Sequence, residues 1–335
     1  MMATANGQDA VTVGYLALDP TEIGAIIRRC LPEGWRLELF RSGDAVKDYS
    51  RISYLVVAGS QLTAEDIAGA PLLRLVHKVG VGYDDMDLDA LRARGIALAV
   101  CPVGSDEAVA EHALALALAS LKCIPELDRG VRDDRGWPKW EVRGRLRLLR
   151  GRRIGIVGYG RIGRLTAELF SAFGCDVLVF TRTRPAGPAP AGVRFAASLD
   201  ELFGECSIVS MHVPLSEETR GMVRRRHLDL LGPDGLFVNT ARGQVVVEAE
   251  LAAALRERTL GAAAVDVLTE EPPPKDLELL DLPNLIVTPH IGGGGLDVFE
   301  RKVGFIVRNI ENFHAGKGAA ELILGADGRA EARCS

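Results

Sequence analysis

Gly158, Gly160 and Gly163 are spaced to cradle a pyrophosphate. They close the stretch Ile154-Gly-Ile-Val-Gly-Tyr-Gly-Arg-Ile-Gly163, in which a short β-branched apolar run stops at glycine and gives way to a helical pattern from Leu165 to Phe173. In a strand-turn-helix unit the first glycine permits the turn. The second lets backbone approach the phosphates, and the third lets helix pack on strand. The free N–H groups and positive end of the helix then favour an anion. A second apolar run, Asp176 to Phe180, completes the unit, and the chemistry implied is the binding of a dinucleotide.

Elements must carry that turn. Upstream, Val11 to Leu18 reads as a strand, Thr21 to Leu31 as a helix, and Arg36 to Phe40, Tyr54 to Ala58 and Leu73 to Lys78 as strands. Downstream, strands are expected at Ser207 to His212, Leu236 to Asn239, Ala262 to Val267 and Leu285 to Thr288. Helices are expected at Glu248 to Glu257 and from about Asp297 to Phe313. Short apolar runs alternating with helices predict an α/β fold with two doubly wound parallel sheets. Pro185 to Gly192 is a loop on composition, beside the expected adenosine end, and Gly292 to Gly295 suggest a hinge or close backbone approach.

Composition bounds the rest. Of 335 residues 47% are hydrophobic and 25% charged, which excludes disorder as the main state and suits two globular domains. A net charge of -5 gives no general pull toward nucleic acid or anionic membrane, and neither is expected as a partner. The six cysteines, Cys30, Cys101, Cys123, Cys175, Cys206 and Cys334, are scattered and read as reduced thiols. Met1 to Ala10 lacks the order of a secretory signal, so a cytoplasmic location is expected. The apolar helical stretch Ala108 to Leu121 is interrupted by Glu111 and His112 and falls short of the ~20 residues of a membrane span. It reads as a buried helix at a domain or subunit contact.

Two charge clusters have plain readings. Asp84, Asp85, Asp87 and Asp89 lack the glycine and distal glutamate of a calcium loop, and Asp87 is placed to cap a helix from Leu88 to Arg94. No metal is expected. Six arginines between Arg143 and Arg153 have no interleaved aromatic residues and lead straight into the strand at Ile154, so they read as a solvated connector.

Three further stretches accompany the fingerprint: Asn239-Thr-Ala-Arg-Gly243, Val265-Asp-Val267 running to Glu271-Pro272, and Pro289-His-Ile-Gly-Gly293. With Val79-Gly-Val-Gly-Tyr-Asp84, Val109-Ala-Glu-His112 and His212-Val-Pro-Leu215, they make the chain resemble the D-isomer-specific 2-hydroxyacid dehydrogenases from about residue 10 to 315. The branch it most resembles is that of the glyoxylate and hydroxypyruvate reductases. Moving a hydride to or from C2 of a 2-hydroxy acid requires a proton-exchanging group, a cation for the carboxylate or carbonyl oxygen, and a pocket that fixes C2. The resemblance assigns these to His290 as acid-base, Glu271 as its partner and Arg242 as the cation.

The resemblance further implies a Rossmann dinucleotide domain over 101–293 and a flavodoxin-like substrate domain made of 1–100 and 294–335, with a homodimer built around the nucleotide domains. Dinucleotide contacts are expected from Gly158, Tyr159, Gly160, Arg161, Ile162 and Gly163, and from Thr181, Arg182 and Thr183. His212, Val213, Pro214, Thr219, Thr240, Ala241 and Arg242 are expected to contribute, with Asp266, His290 and Gly292 at the nicotinamide end. Val79, Gly80 and Val81 would grip the substrate carboxylate beside Arg242 and His290.

Departures from the family pattern matter too. An NAD-preferring member carries Asp where Thr181 stands here, and Thr181-Arg-Thr-Arg184 would suit a 2′-phosphate. NADP(H) is therefore the expected cofactor, with NAD possible. Asp85 stands where Asn is common and Val247 where an acidic residue is usual. The glutamate at 271 disfavours formate dehydrogenase, and a longer, regulated phosphoglycerate dehydrogenase is not expected from a chain of this length. A dinucleotide-sensing corepressor on the same scaffold and an NAD-dependent phosphite or phosphoglycerate-type dehydrogenase are the alternatives.

Overall fold

The structure, a computed structural model, describes residues 11–184, 190, 192–327 and 329. The opening segment Met1 to Ala10, Cys334 and most of the loop at Pro185 to Gly192 lie outside the described residues. The chain divides into two compact units, 1–105 with 294–335, and 106–293.

In the first unit β1 (Thr12–Ala17) leads through α1 (Thr21–Cys30) to β2 (Arg36–Arg41). β3 (Tyr54–Ala58), α2 (Ala64–Ala68), β4 (Leu75–Lys78), α3 (Leu88–Ala93) and β5 (Ala97–Ala99) follow. β1 and β4 are buried along their whole length, as strands covered on both faces must be. Caps set the helix starts: Thr63 and Asp66 form a reciprocal capping box on α2, and the Asp87 carboxylate accepts the Ala90 N–H of α3 at 2.9 Å. The neighbouring carboxylates are spent locally, Asp85 on Lys78 and Asp89 on Arg92.

The second unit begins with α4 (Ser105–Leu121), α5 (Ile124–Arg132) and α6 (Lys139–Arg143). β6 (Arg153–Val157), α7 (Arg161–Ala172), β7 (Asp176–Phe180), β8 (Val193–Phe195), α8 (Leu199–Glu205) and β9 (Ile208–Met211) follow. α9 (Arg225–Leu231), β10 (Leu236–Asn239), α10 (Glu248–Arg256), β11 (Ala262–Val265) and β12 (Leu285–Val287) complete it. Its strands form one parallel sheet in the order β12-β11-β10-β9-β6-β7-β8. β6 therefore has β7 on one side and β9 on the other, which makes the carboxyl ends of β6 and β9 the topological switch point where such sheets bind ligands. Phe203, Leu228 and Leu255 pack one face of the sheet, and Leu116, Ile156 and Phe170 the other. Each fully buried phenylalanine there contributes about 1.5–3 kcal/mol. α4 is buried on one side only, with Glu107, Glu111 and Ala115 exposed. The arginines that follow are partnered, Arg145 by Glu126 and Arg147 by Asp234 at 3.4 Å.

The chain returns to the first unit as α11 (Leu296–His314) and β13 (Leu322–Leu324). α11 is amphipathic, and Val303, Ile306, Val307 and Ile310 bury its apolar stripe with Ile26, Ile27 and Tyr15. The sheet order is β13-β5-β4-β3-β1-β2, so β1 to β5 run in the 2-1-3-4-5 order of flavodoxin-like folds. β13 corrects the expectation of a purely parallel sheet: it pairs with β5 antiparallel and covers that edge. Among the described residues no single helix is long and apolar enough to cross a membrane.

Candidate active site

The turn between β6 and α7 needs glycine for steric reasons that the structure makes explicit. Gly158 sits at φ +95°, and a Cβ there would lie 2.3 Å from the His212 carbonyl oxygen; one at Gly163 would lie 2.1 Å from the Gly158 carbonyl oxygen. Gly160 is different. A Cβ at that position would meet no protein atom within 4 Å, so the fold itself does not demand glycine there. The space it keeps open borders the first turn of α7, whose leading N–H groups have no intrahelical partners. At the end of β10, the buried Thr240 hydroxyl has no hydrogen-bond partner in the protein. An open glycine on a helix start, with an orphan hydroxyl at a strand end of the same sheet, fits a dinucleotide.

Further along the sheet, two turns bring charged side chains together. Asn239, buried at the end of β10, accepts the Ala241 N–H and donates to the Arg242 carbonyl, which shapes the turn that presents Arg242. Gly243 follows because the segment after β11 passes against it: a Cβ at 243 would lie 2.0 Å from the Leu268 carbonyl carbon. Gln244 donates to the Thr269 carbonyl at 2.8 Å, and Glu248 accepts the Thr269 N–H at 2.9 Å. This second turn carries Glu271. Its carboxylate accepts the Leu268 N–H at 2.9 Å through Oε1 and meets His290 Nδ1 at 2.6 Å through Oε2.

Burial pushes the Glu271 carboxyl up, but the His290 hydrogen bond and charge, the Leu268 N–H and the Arg242 charge outweigh it and hold the group below the usual carboxylate range. An ionised Glu271 accepts only, so the proton between the pair rides on His290 Nδ1 and Nε2 is the nitrogen left to exchange protons. The histidine side chain is 48% exposed, open to a small molecule. It is also held in an uncommon backbone state, φ +52°, with its N–H shared between the carbonyls of Asp266 (2.8 Å) and Thr288 (3.0 Å). Left-handed backbone at a residue other than glycine costs about 1–2 kcal/mol.

Asp266, 3% exposed, lies beneath this turn. It accepts from Thr288 Oγ1 at 2.6 Å, Ile291 N at 3.0 Å and Gly292 N at 2.8 Å, with His112 Nε2 at 3.3 Å. Burial again raises its pKa, and those donors together bring it below the ordinary value. The sequence reading placed Asp266 and Gly292 here but missed Thr288 and His112 as part of the site. His112 was marked only as an interruption of an apolar helical run and as the end of the Val109-Ala-Glu-His112 stretch, with no role in the site attached to it.

At the far end of the sheet Thr181 follows β7 directly, and its hydroxyl bonds the Thr183 carbonyl at 3.3 Å. Arg182 pairs with Glu218 at 2.6 Å, while Arg184 reaches the Ala196 carbonyl and lies 5.6 Å from the Phe195 ring centre. Glu218 was not foreseen. It sits in a turn after His212-Val213-Pro214 that Thr219 closes by donating to the Pro214 carbonyl at 2.6 Å. Around the fingerprint, Arg161 pairs with Asp106 at 2.6 Å, and the Tyr159 ring packs on Phe195 and under Arg164.

Val79, Gly80 and Val81 belong to the first unit, just past β4. One expectation needs correcting: the Val79 N–H donates to the Val57 carbonyl at 3.0 Å and is not available to a substrate carboxylate. A Cβ at Gly80 would meet nothing within 4 Å.

Comparison with known proteins decides the family. The family profile described as "D-isomer specific 2-hydroxyacid dehydrogenase, NAD binding domain" matches residues 114–292. The glyoxylate reductase of Thermococcus litoralis is 32% identical over 298 residues, 87% of either chain. The chain belongs to the D-isomer-specific 2-hydroxyacid dehydrogenase family. Another relative in that family, the D-3-phosphoglycerate dehydrogenase of Mycobacterium bovis, is 35% identical over 270 residues, 80% of this chain. The chain spans about half the length of the phosphoglycerate dehydrogenases it matches. Among solved structures of 2-hydroxyacid dehydrogenases, the NADPH-dependent glyoxylate/hydroxypyruvate reductase of Sinorhizobium meliloti, in complex with NADP and malonate, superposes with a TM-score of 0.81. It is 27% identical, with 96% of this chain and 99% of that one covered.

Proposed function

We propose that the chain is an NADP(H)-preferring reductase of a small 2-ketoacid, of the glyoxylate or hydroxypyruvate kind, to the D-2-hydroxy acid. The observation that carries this is the Glu271–His290 pair beside the Arg242 charge, an acid-base histidine with its tautomer set. Residues at the β6–α7 turn and the ends of β7, β9 and β10 would hold the dinucleotide, which supplies the hydride for C2. His290 Nε2 would deliver the proton to the carbonyl oxygen, and Glu271 would stabilise the charged ring while Nδ1 stays bonded. Arg242 would bind the substrate carboxylate in a forked contact and draw electron density toward the carbonyl oxygen. In this reading the first unit is the substrate domain.

Thr181 to Arg184 support NADPH over NADH, since they place a hydroxyl and two guanidiniums where a carboxylate would repel a 2′-phosphate. Arg182 is already paired with Glu218, but both side chains are largely exposed, and such a pair is worth about 0–1 kcal/mol. A phosphate dianion competes with that partner at little cost. We also infer a homodimer through the second unit. α5 has no buried residue, and Ile124, Trp137, Trp140 and Leu148 expose apolar surface on the same stretch of chain.

Initial-rate oxidation of NADPH and NADH against glyoxylate, hydroxypyruvate, pyruvate and phenylpyruvate tests the reading. NADPH with a short ketoacid should be fastest, and Arg242→Ala should abolish turnover while dinucleotide binding survives. Dinucleotide binding without turnover of any ketoacid would instead favour a regulatory protein on this scaffold. The 35% identity to phosphoglycerate dehydrogenases favours one second reading, for which 3-phosphoglycerate oxidation is the deciding assay.

A further inference from the structure

One buried carboxylate holds the turn on both sides of His290. Asp266 takes the Thr288 hydroxyl, two residues before the histidine, and the N–H groups of Ile291 and Gly292, the two residues after it. Its own carbonyl accepts the His290 N–H. With the Thr288 proton given to Asp266, the Thr288 oxygen is left as acceptor for His112 Nε2 at 2.9 Å, so His112 carries its proton on that nitrogen. A directed chain results, from α4 through Thr288 to Asp266, and His112 Nε2 also lies 3.3 Å from the same carboxylate oxygen.

We propose that Thr288 and His112 are positioning residues that act through Asp266 to hold His290 in its left-handed pose against Glu271. The proposal rests on the acid-base reading of His290 and goes beyond it by naming what keeps that ring in place. The strained φ is the reason such a clamp matters. A residue at +52° persists only where its neighbours hold it, and a change of that backbone angle would disturb the 2.6 Å contact between the imidazole and Glu271. The clamp does not touch the exchanging nitrogen, so its loss changes how often His290 is correctly placed rather than its chemistry.

The test compares Thr288→Val, which keeps the shape and removes the hydroxyl, with Thr288→Ser, which restores it. A second pair, His112→Leu and His112→Gln, does the same for the Nε2 donor and decides the matter if the valine variant does not fold. For each full-length protein, kcat and KM for glyoxylate and the dinucleotide Kd from protein fluorescence are measured. Thr288→Val and His112→Leu should lower kcat about 10–100-fold, the range expected for misplacing a catalytic group by about an ångström. KM and Kd should stay unchanged, and serine and glutamine should recover most of the rate. Wild-type kcat in the valine and leucine variants would overturn the proposal. So would a loss of dinucleotide affinity that accounts for the whole effect. Should His290→Asn itself turn over normally, the acid-base reading fails instead, and the two failures are told apart.

Discussion

Two loops at the carboxyl end of the same sheet treat their charges in opposite ways. Around β11 and β12 a carboxylate with 3% of its surface exposed is surrounded by donors, a strained backbone is clamped, and Glu271 holds His290. After β7, Arg182 and Glu218 meet with side chains 83% and 68% exposed, and Arg184 reaches for a carbonyl and a ring. The first loop is held by bonds within the protein itself, as catalysis by positioned groups requires. The second is made of pairs that exchange partners at small cost, which suits recognition of a variable part of a cofactor.

The largest expected effect falls on the first loop. His290→Asn removes the proton-exchanging nitrogen and should lower kcat for ketoacid reduction about 10²–10⁴-fold, with dinucleotide affinity intact. Glu271→Gln should do less, because an amide still accepts from Nδ1 but no longer stabilises the charged ring. Steady-state kinetics beside a fluorescence titration read both. Wild-type turnover in the asparagine variant would break the comparison at its stronger end.

Burial also separates the histidines, and pH sharpens that contrast. His212, beside the fingerprint, is held down to about 3 by burial. His77, in β4, is pulled to about 4 by burial, against the opposing effect of its bond to the Lys78 carbonyl. Unfolded histidine titrates near 6.5, so below that value the unfolded chain takes up protons that the folded chain refuses. Stability is then full above about 6.5 and declines as pH falls toward about 4, by about 1.4 kcal/mol per pH unit for each such group. Urea midpoints between pH 7 and 4 should show this slope, and His77→Gln should make it shallower. An unchanged slope in that variant would mean His77 does not contribute.

What was legible in the sequence follows the same division. β6, β7 and β10 announce themselves as unbroken apolar runs, because a strand buried on both faces admits little else. β5 (Ala97–Ala99), β8 and the antiparallel β13 have three residues each, too few to carry a period, and their neighbours in the sheet define them. α5 escaped for another reason: none of its residues is buried, so no apolar stripe is packed into the core of its unit to mark it. In the site, His290, Glu271 and Arg242 lie in short motifs that can be read locally. The bond between His112 and Thr288 spans 176 residues, and only the fold brings them together. Glu218 is hidden for the same reason, as an ordinary surface glutamate in a turn until it is seen on Arg182.

The smallest effect belongs to that pair, and it bears on the weaker end of the comparison. If Arg182 leaves Glu218 to meet a 2′-phosphate, Glu218→Gln frees the guanidinium and removes a nearby negative charge. Both changes favour NADPH, whereas NADH offers only a hydroxyl at that position. The NADPH Kd should tighten by up to about fivefold, the worth of one exposed pair, with the NADH Kd unmoved and the gain shrinking at high salt. Arg182→Gln should weaken NADPH binding alone. If the Glu218 variant shifts nothing while the Arg182 variant does, the pair is a resting contact without influence on the cofactor. If neither shifts the ratio of the two affinities, the adenosine-end loop does not read the phosphate, and the preference for NADPH falls with it.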